Sequence, residues 1–441
     1  MIQKISSKIN IFLGLLLLSF PILIILGSFA LNCFSVIFSL YAIFNFKSIT
    51  NINIINKKVI ILFFSFIILI FPFESIQVKN SFLQSSIFKY LSFFRFVLML
   101  FGLIIFFEKN NNENIFSKIY KTYVVILSIL VIDILIEYFF GYNLLGYKSS
   151  QEGRIASFTN DELIIGYIFC FVALFTLAYI FKKFNHYYFF ILICIFVIVC
   201  FLVGERSNFL KFVSLIMLFY FIYFVLNFKK LKIKNLLIFT PIIIVAIFTF
   251  YELTKNTKQG SSLFRLTEDL IIVKDGKFSL NIVQRFKVST HAAHYATAYK
   301  IFLNYPIFGI GINNFYSESK KEKYEDGKFG YTNATSDGIV ETPVLRASTH
   351  PHQVYLEIIS EVGLVGLLYC IFIFIYPIFI SLKSYMVRKE INLISHLLLH
   401  IYFIFPILPS GSFFGTNYGI PFWFNLSILI YLSKRNLKYY S

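Results

Sequence analysis

The chain is 441 residues long, 58% hydrophobic and only 14% charged, with a mean hydropathy of +0.76. A soluble domain of this size carries roughly 25% charged residues, and a disordered chain is poor in the Phe, Ile and Leu that dominate here, so both classes are excluded. The formal net charge of +18 would point to nucleic acid in a soluble protein, but its distribution along this chain reads as a record of membrane topology.

In chain order, apolar runs ending at Lys, Arg, Asn or Gly clusters fall near residues 10–27, 29–46, 59–75, 90–107, 122–140, 163–181, 188–203, 208–228, 236–252, 353–382, 391–408 and 420–432. They predict an all-α polytopic membrane protein of about 12 transmembrane helices with one large, partly helical periplasmic loop. Starting the first span in the cytoplasm puts twenty Lys and Arg on the inner connections and six on the short outer ones. That asymmetry places both termini in the cytoplasm. Ser28-Phe29-Ala30 resembles a signal-peptidase site, yet the apolar run continues at once into another span. The expected organisation is spans one to nine over residues 1–252, the loop over 253–352, and spans ten to twelve over 353–441.

The loop carries 13 cations and is long enough to hold structure of its own. Residues 281–303 read as a helix with a loose apolar stripe of Ile282, Phe286, Ala293, Ala296 and Ile301, suited to the membrane surface. Cys33, Cys170, Cys194, Cys200 and Cys370 all fall in expected spans without paired spacing and read as small apolar fillers.

Three basic or titratable features share the outer side. Arg206 follows span seven in Val203-Gly-Glu-Arg-Ser-Asn208, Arg285 lies on the loop helix, and His350-Pro-His352 stands before span ten. A guanidinium in so short a turn needs a partner. It either pairs with Glu205 or with Asp133 and Glu137, snorkels to headgroups, or binds a substrate phosphate through its planar fork. Asp133 and Glu137 share one face of span five, and Arg95 in span four is the expected partner of these two acids. Pro351 disfavours helix before it, so span ten starts at about Gln353 and His352 occupies its entrance. Helix-terminal amides there would keep the ring neutral, the state of a general base. His291 and His294 lie three apart on the loop helix and share a face, but no acidic or Cys ligands accompany them at zinc-site spacing.

Together these residues resemble the O-antigen ligase and polymerase superfamily of bacterial envelope enzymes. His352-Gln353, nine residues, then Gly363-x-x-Gly366 is similar to the ligase pattern. Gly204-Glu-Arg206 resembles the family's outer arginine, and Arg285 followed by Asn304-x-Pro-x-Phe-Gly309-x-Gly311 resembles its loop arginine and the turn after it. Gly141 to Gly146 with Arg154 to Asn160 is similar to the outer loop before the sixth span, and Pro409 to Gly415 to a late-span turn. The longer Gly-x-x-Gly-Thr-Gly form is absent, since Leu367-Leu368 follow Gly366.

The resemblance implies inverting transfer of a glycan from a polyprenyl (undecaprenyl) diphosphate to a sugar hydroxyl on the periplasmic face of the bacterial inner membrane. The acceptor is lipid A-core in a ligase of lipopolysaccharide biosynthesis, or a second lipid-linked repeat in a polymerase. In that scheme His352, with His350 as second choice, takes the acceptor proton, and Arg206 and Arg285 hold the diphosphate. Arg154 and Glu205 are accessory, and no metal or cofactor is needed. A polytopic transporter or flippase is the reading from another class, because intramembrane Arg95, Asp133 and Glu137 also suit a coupled carrier.

Overall fold

The computed structural model describes residues 2–47, 63–68, 86–110, 113–151, 153–160, 164–226, 257, 271–274, 277–280, 290–324, 331–335, 338–342 and 348–438. The expected span 236–252 and most of 59–75 lie outside the described residues, although 63–68 are helical.

The first helices are α1 (Ile2–Leu18), α2 (Phe20–Ile25) and α3 (Ser28–Phe44). Then follow α4 (Ser86–Lys109), α5 (Glu113–Phe140), α6 (Ile165–Lys183), α7 (His186–Leu202) and α8 (Arg206–Leu226). The loop region holds α9 (Thr290–Asn304) and α10 (Phe315–Ser319), and the chain closes with α11 (Val354–Arg388), α12 (Asn392–Phe403) and α13 (Thr416–Lys438). Among the described residues, five helices are long and apolar enough to cross a membrane: Phe88–Lys109, Asn114–Phe140, Ile165–Lys183, Arg206–Tyr223 and Val354–Arg388. Shorter apolar helices fall at Lys8–Leu18, Ser28–Phe44, His186–Leu202 and Asn392–Phe403.

The loop expected to be partly helical also contains antiparallel hairpins. Strands β1 (Ile271–Lys274) and β2 (Lys277–Leu280) pair with Lys274 opposite Lys277, and β3 (Tyr331–Thr335) and β4 (Gly338–Thr342) pair with Thr335 opposite Gly338. Asp275-Gly276 and Ser336-Asp337-Gly338 are strong hairpin-turn sequences, a signal that hydropathy does not register. The loop helix itself starts at Thr290; residues 281–289 lie outside the described residues.

The chain divides into two compact units, residues 1–120 with 286–441, and residues 121–285. In the first, α13 packs against α3, α4, α11 and α12. A helix apolar all round must be buried all round, and Ile420, Phe422, Trp423, Phe424, Leu426 and Leu429 are all fully buried. Its one tryptophan, Trp423, meets Phe63 and Phe93 edge-on at 5.9 and 6.1 Å. The histidines of α12 are core groups: His396 bonds Tyr120 Oη (2.8 Å) and Asn425 Oδ1 (2.9 Å), and His400 bonds the Phe374 carbonyl (2.9 Å). In the second unit α6 packs against α7 and α8, with Phe169 between Phe196 (6.1 Å) and Phe212 (5.9 Å).

Opposite these cores, apolar side chains are exposed in helical stripes. On α11 they are Leu364, Leu368, Phe372, Ile375 and Phe379, and on α5 Val125, Ile129 and Ile132. Water would not tolerate stripes of this length on a monomer's surface; lipid does. The chain is a multi-pass membrane protein.

Candidate functional site

The segment before α11 is built by backbone restrictions. Gln353 is the N-cap of the helix, its Oε1 accepting from Leu356 N at 2.8 Å, while its Nε2 donates to the Pro406 carbonyl at 2.7 Å. The span thus starts where Pro351 predicts. His352 itself is left-handed, at φ +56°, a conformation a non-glycine residue adopts only when its surroundings impose it. What imposes it is the 409–415 turn: Ser410 N donates to the His352 carbonyl at 2.9 Å. That turn is anchored in turn by Glu357, one helical turn into α11, whose carboxylate accepts from Ser412 Oγ and from Phe413 N at 2.7 Å.

Four imidazoles meet at this point. The His352 ring lies 4.1 Å from His350, 5.3 Å from His294 in a stacked arrangement, and 5.4 Å from His291 edge-on. Ser348 Oγ shares a 3.2 Å hydrogen bond with His352 Nε2, and Thr349 Oγ1 a 3.0 Å one with His350 Nδ1. Burial, then repulsion from His350, His291 and His294, pushes His352 down to about 3. His350 is lowered to about 4 by burial, partly offset by a backbone hydrogen bond at Ser410, with His294 and His291 adding to the lowering. Burial also lowers His291. The ring is neutral, as expected, but helix-terminal amides are not the cause; burial and neighbouring imidazoles are. Among the described residues, no three His, Cys, Asp or Glu side chains are arranged to hold a metal ion.

The glycine motif has a different role from helix–helix approach. Gly363 breaks α11 at φ +65°, ψ −167°, and a Cβ there would stand 2.2 Å from the Ile307 carbonyl oxygen. The broken helix exchanges hydrogen bonds with the Pro306–Gly311 turn: Ile310 N to Ser360 O (3.1 Å), Gly311 N to Glu361 O (2.7 Å), Leu364 N to Pro306 O (2.9 Å) and Val365 N to Ile307 O (3.2 Å). Irregular backbone in a span is tolerated where another part of the protein satisfies it. The Glu361 carboxylate continues the clamp by accepting from Asn313 N (2.6 Å) and Phe315 N (3.0 Å), and Lys89 Nζ donates to Asn313 O and Asn314 Oδ1. Glu357 and Glu361 went unassigned on sequence grounds; two acids four apart inside an apolar span were the available signal.

In the second unit, Arg206 is exposed at the first position of α8. Its neighbour Glu205 forms an ion pair with Arg154 Nη2 at 3.7 Å and accepts from Gly166 N at 3.0 Å and from Asn208 Nδ2. Burial raises the Glu205 carboxyl, and Arg154, Gly166 and Asn208 partly offset it. Gly204, at φ +80°, allows the turn to lie against Gly153, whose carbonyl oxygen would be 2.2 Å from a Cβ. Arg154 and Glu205 are therefore ion-pair partners that join the 153–155 segment to the 203–206 turn. Arg285 lies outside the described residues.

Asp133 and Glu137 have partners other than the expected Arg95. Asp133 accepts from Leu144 N (2.8 Å) and Ser157 Oγ, and Glu137 from Ala156 N (3.1 Å) and Ser157 N (2.6 Å). Arg95 donates to Asn32 Oδ1 (2.8 Å), Ser92 O (2.7 Å) and Thr416 Oγ1 (3.3 Å). Carboxylates that accept several amide hydrogens need no cation, and spacing in sequence could not reveal the 144–157 loop folding back onto them.

These features define a multi-pass membrane protein in which each unit carries titratable side chains on turns at the ends of its helices, those of the first unit beside a span with a broken helix. Residues 189–371 match the family model described as O-antigen ligase, so this region is similar to that family. The matched stretch includes Arg206, Arg285, His350 and His352. No curated protein matches the chain.

Proposed function

We propose that the chain is an integral-membrane glycosyltransferase that moves a glycan from undecaprenyl diphosphate to a sugar hydroxyl of lipid A-core. In this reading it works at the periplasmic face of the inner membrane, with both termini cytoplasmic. The observation that carries the reading is His352: a ring held neutral by burial, on a backbone forced into the left-handed region, inside the segment that matches the ligase family. A neutral imidazole can take the acceptor hydroxyl proton as its oxygen attacks the anomeric carbon. The bond from that carbon to the diphosphate oxygen breaks on the opposite face, and the configuration inverts. His350 is the alternative base. Arg206 and Arg285 would meet the charge that develops on the leaving diphosphate, a task the guanidinium fork suits without a metal ion. Arg154 steadies Glu205, and through it the turn that carries Arg206.

A polymerase joining lipid-linked repeats uses the same chemistry, and Leu367-Leu368 after Gly366, in place of the longer glycine motif, favours it. A carrier is disfavoured because Asp133 and Glu137 spend their acceptor capacity on backbone amides and a serine hydroxyl. In reconstituted membranes His352→Ala is expected to lose ~10²–10⁴-fold in transfer, with folding intact, and Arg206→Ala to lose transfer as well; wild-type rates in both would eliminate this function. A chelator should leave the rate unchanged. In a deletion strain, core lacking all repeats indicates a ligase and core with a single repeat a polymerase.

A further inference from the structure

Two of the four clustered rings come from α9, and the reaction as described uses neither. His291 and His294 share a face of that helix and approach His352 from one side, while His350 approaches along its own chain segment. The helix does not depend on them for its place. It packs along α11, and its Ala298 and Ile301 are buried in a cluster with Ile310, Phe315 and Tyr324. The histidines are thus additions to a helix already anchored. Buried nitrogens normally find hydrogen-bond partners, yet His291 Nδ1 has none among the described residues.

We propose that His291 and His294 are positioning residues for the His352 base: one stacks on its ring and the other meets it edge-on, and together they keep it free of protons until substrate supplies one. This inference rests on His352 being the base. Three further imidazoles within 5.4 Å mean that the cluster accommodates one positive charge and resists a second. In each turnover the acceptor oxygen bonds to the anomeric carbon, the diphosphate departs with the electron pair of the broken bond, and the hydroxyl proton goes to His352. That proton passes to water before the next cycle, and repulsion from the neighbouring rings favours its departure.

The groups that face His352 can be named. From α9 they are His291 and His294; from its own segment, His350 with neutral Ser348 and Thr349; from the 409–415 turn, the Ser410 amide. Glu357 of α11 is turned toward Ser412 and Phe413. Besides burial, the groups that lower the His352 imidazole are the three other histidines. Replacing His291 and His294 by phenylalanine keeps a ring in each place and deletes two sources of repulsion, so His352 should protonate at higher pH. Burial, the larger cause, remains.

The test uses the full chain in proteoliposomes with a lipid-linked glycan donor, measuring kcat/KM of transfer from about pH 2.5 to about pH 8, a range that brackets the His352 limb. The His291→Phe/His294→Phe variant is expected to move the acid limb upward by about one pH unit; the limb's position, not the plateau's height, is the readout. A loss that is equal at every pH, with the limb unmoved, would mean that the two histidines only pack, and overturns the inference. Diethyl pyrocarbonate modification of His352, followed by peptide mass against pH, reports its unprotonated fraction without any donor. It should show the same shift in the double variant or, where that folds poorly, about half of it in His294→Phe; an unshifted titration overturns the inference. Full transfer by His352→Ala would instead overturn the base assignment itself.

Discussion

Replacing Gly363 by alanine tests whether the Gly-x-x-Gly motif serves a turn docked on a broken helix. At φ +65°, ψ −167° an alanine sits in a region essentially restricted to glycine, at a cost of about 1–3 kcal/mol. Its Cβ would also lie 2.2 Å from the Ile307 carbonyl oxygen and 2.6 Å from Phe308 N, both backbone atoms that cannot rotate away. The Pro306–Gly311 turn must then retreat, and the four hydrogen bonds it exchanges with α11 lengthen together. Losing half of them at about 1 kcal/mol each brings the total to about 3–5 kcal/mol. Gly14→Ala, inside α1, is the control. A methyl there would meet nothing within 4 Å, and alanine favours helix over glycine by about 1 kcal/mol. Thermal unfolding in detergent, followed by far-UV circular dichroism, should show Gly363→Ala melting well below wild type and Gly14→Ala close to it. Equal melting temperatures for the two variants would refute the docked-turn account.

Three further outcomes follow from the geometry. Because His352 is lowered to about 3, it stays unprotonated well below the ordinary imidazole value; kcat/KM should be flat as pH falls from 8 to about 5, and a rate halving near 6.5 would contradict its burial. Glu205 is raised, so the folded protein binds its proton more tightly than the unfolded chain does. Its contribution to stability is full below the ordinary carboxylate value and is lost as pH rises through the folded one, and Glu205→Gln should flatten this dependence in thermal unfolding measured against pH. Glu137→Ala strands the Ala156 and Ser157 amides and is expected to cost about 1–3 kcal/mol for each left unpaired, visible as early proteolysis of the 144–157 loop.

Composition and apolar runs were sufficient for the membrane class, since α3 to α8 and α11 to α13 all fall within or close to expected spans. Pro351 was sufficient for the start of α11, and His-x-x-His for two rings on one face of α9. These are local properties, because hydrophobic periodicity, proline's fixed φ and helical pitch act over a few residues. The hairpins carried a local signal as well, in turn dipeptides rather than hydropathy.

What only the tertiary structure decided was which distant segments satisfy each other's polar groups. Glu357 holds the 409–415 turn, Glu361 holds Asn313 and Phe315, and Asp133 and Glu137 hold the 144–157 loop instead of pairing with Arg95. The meeting of His291 and His294 with His352 is of the same kind. A buried carboxylate or imidazole must find donors or like company somewhere, and sequence states the need; the path of the backbone through space supplies the partner.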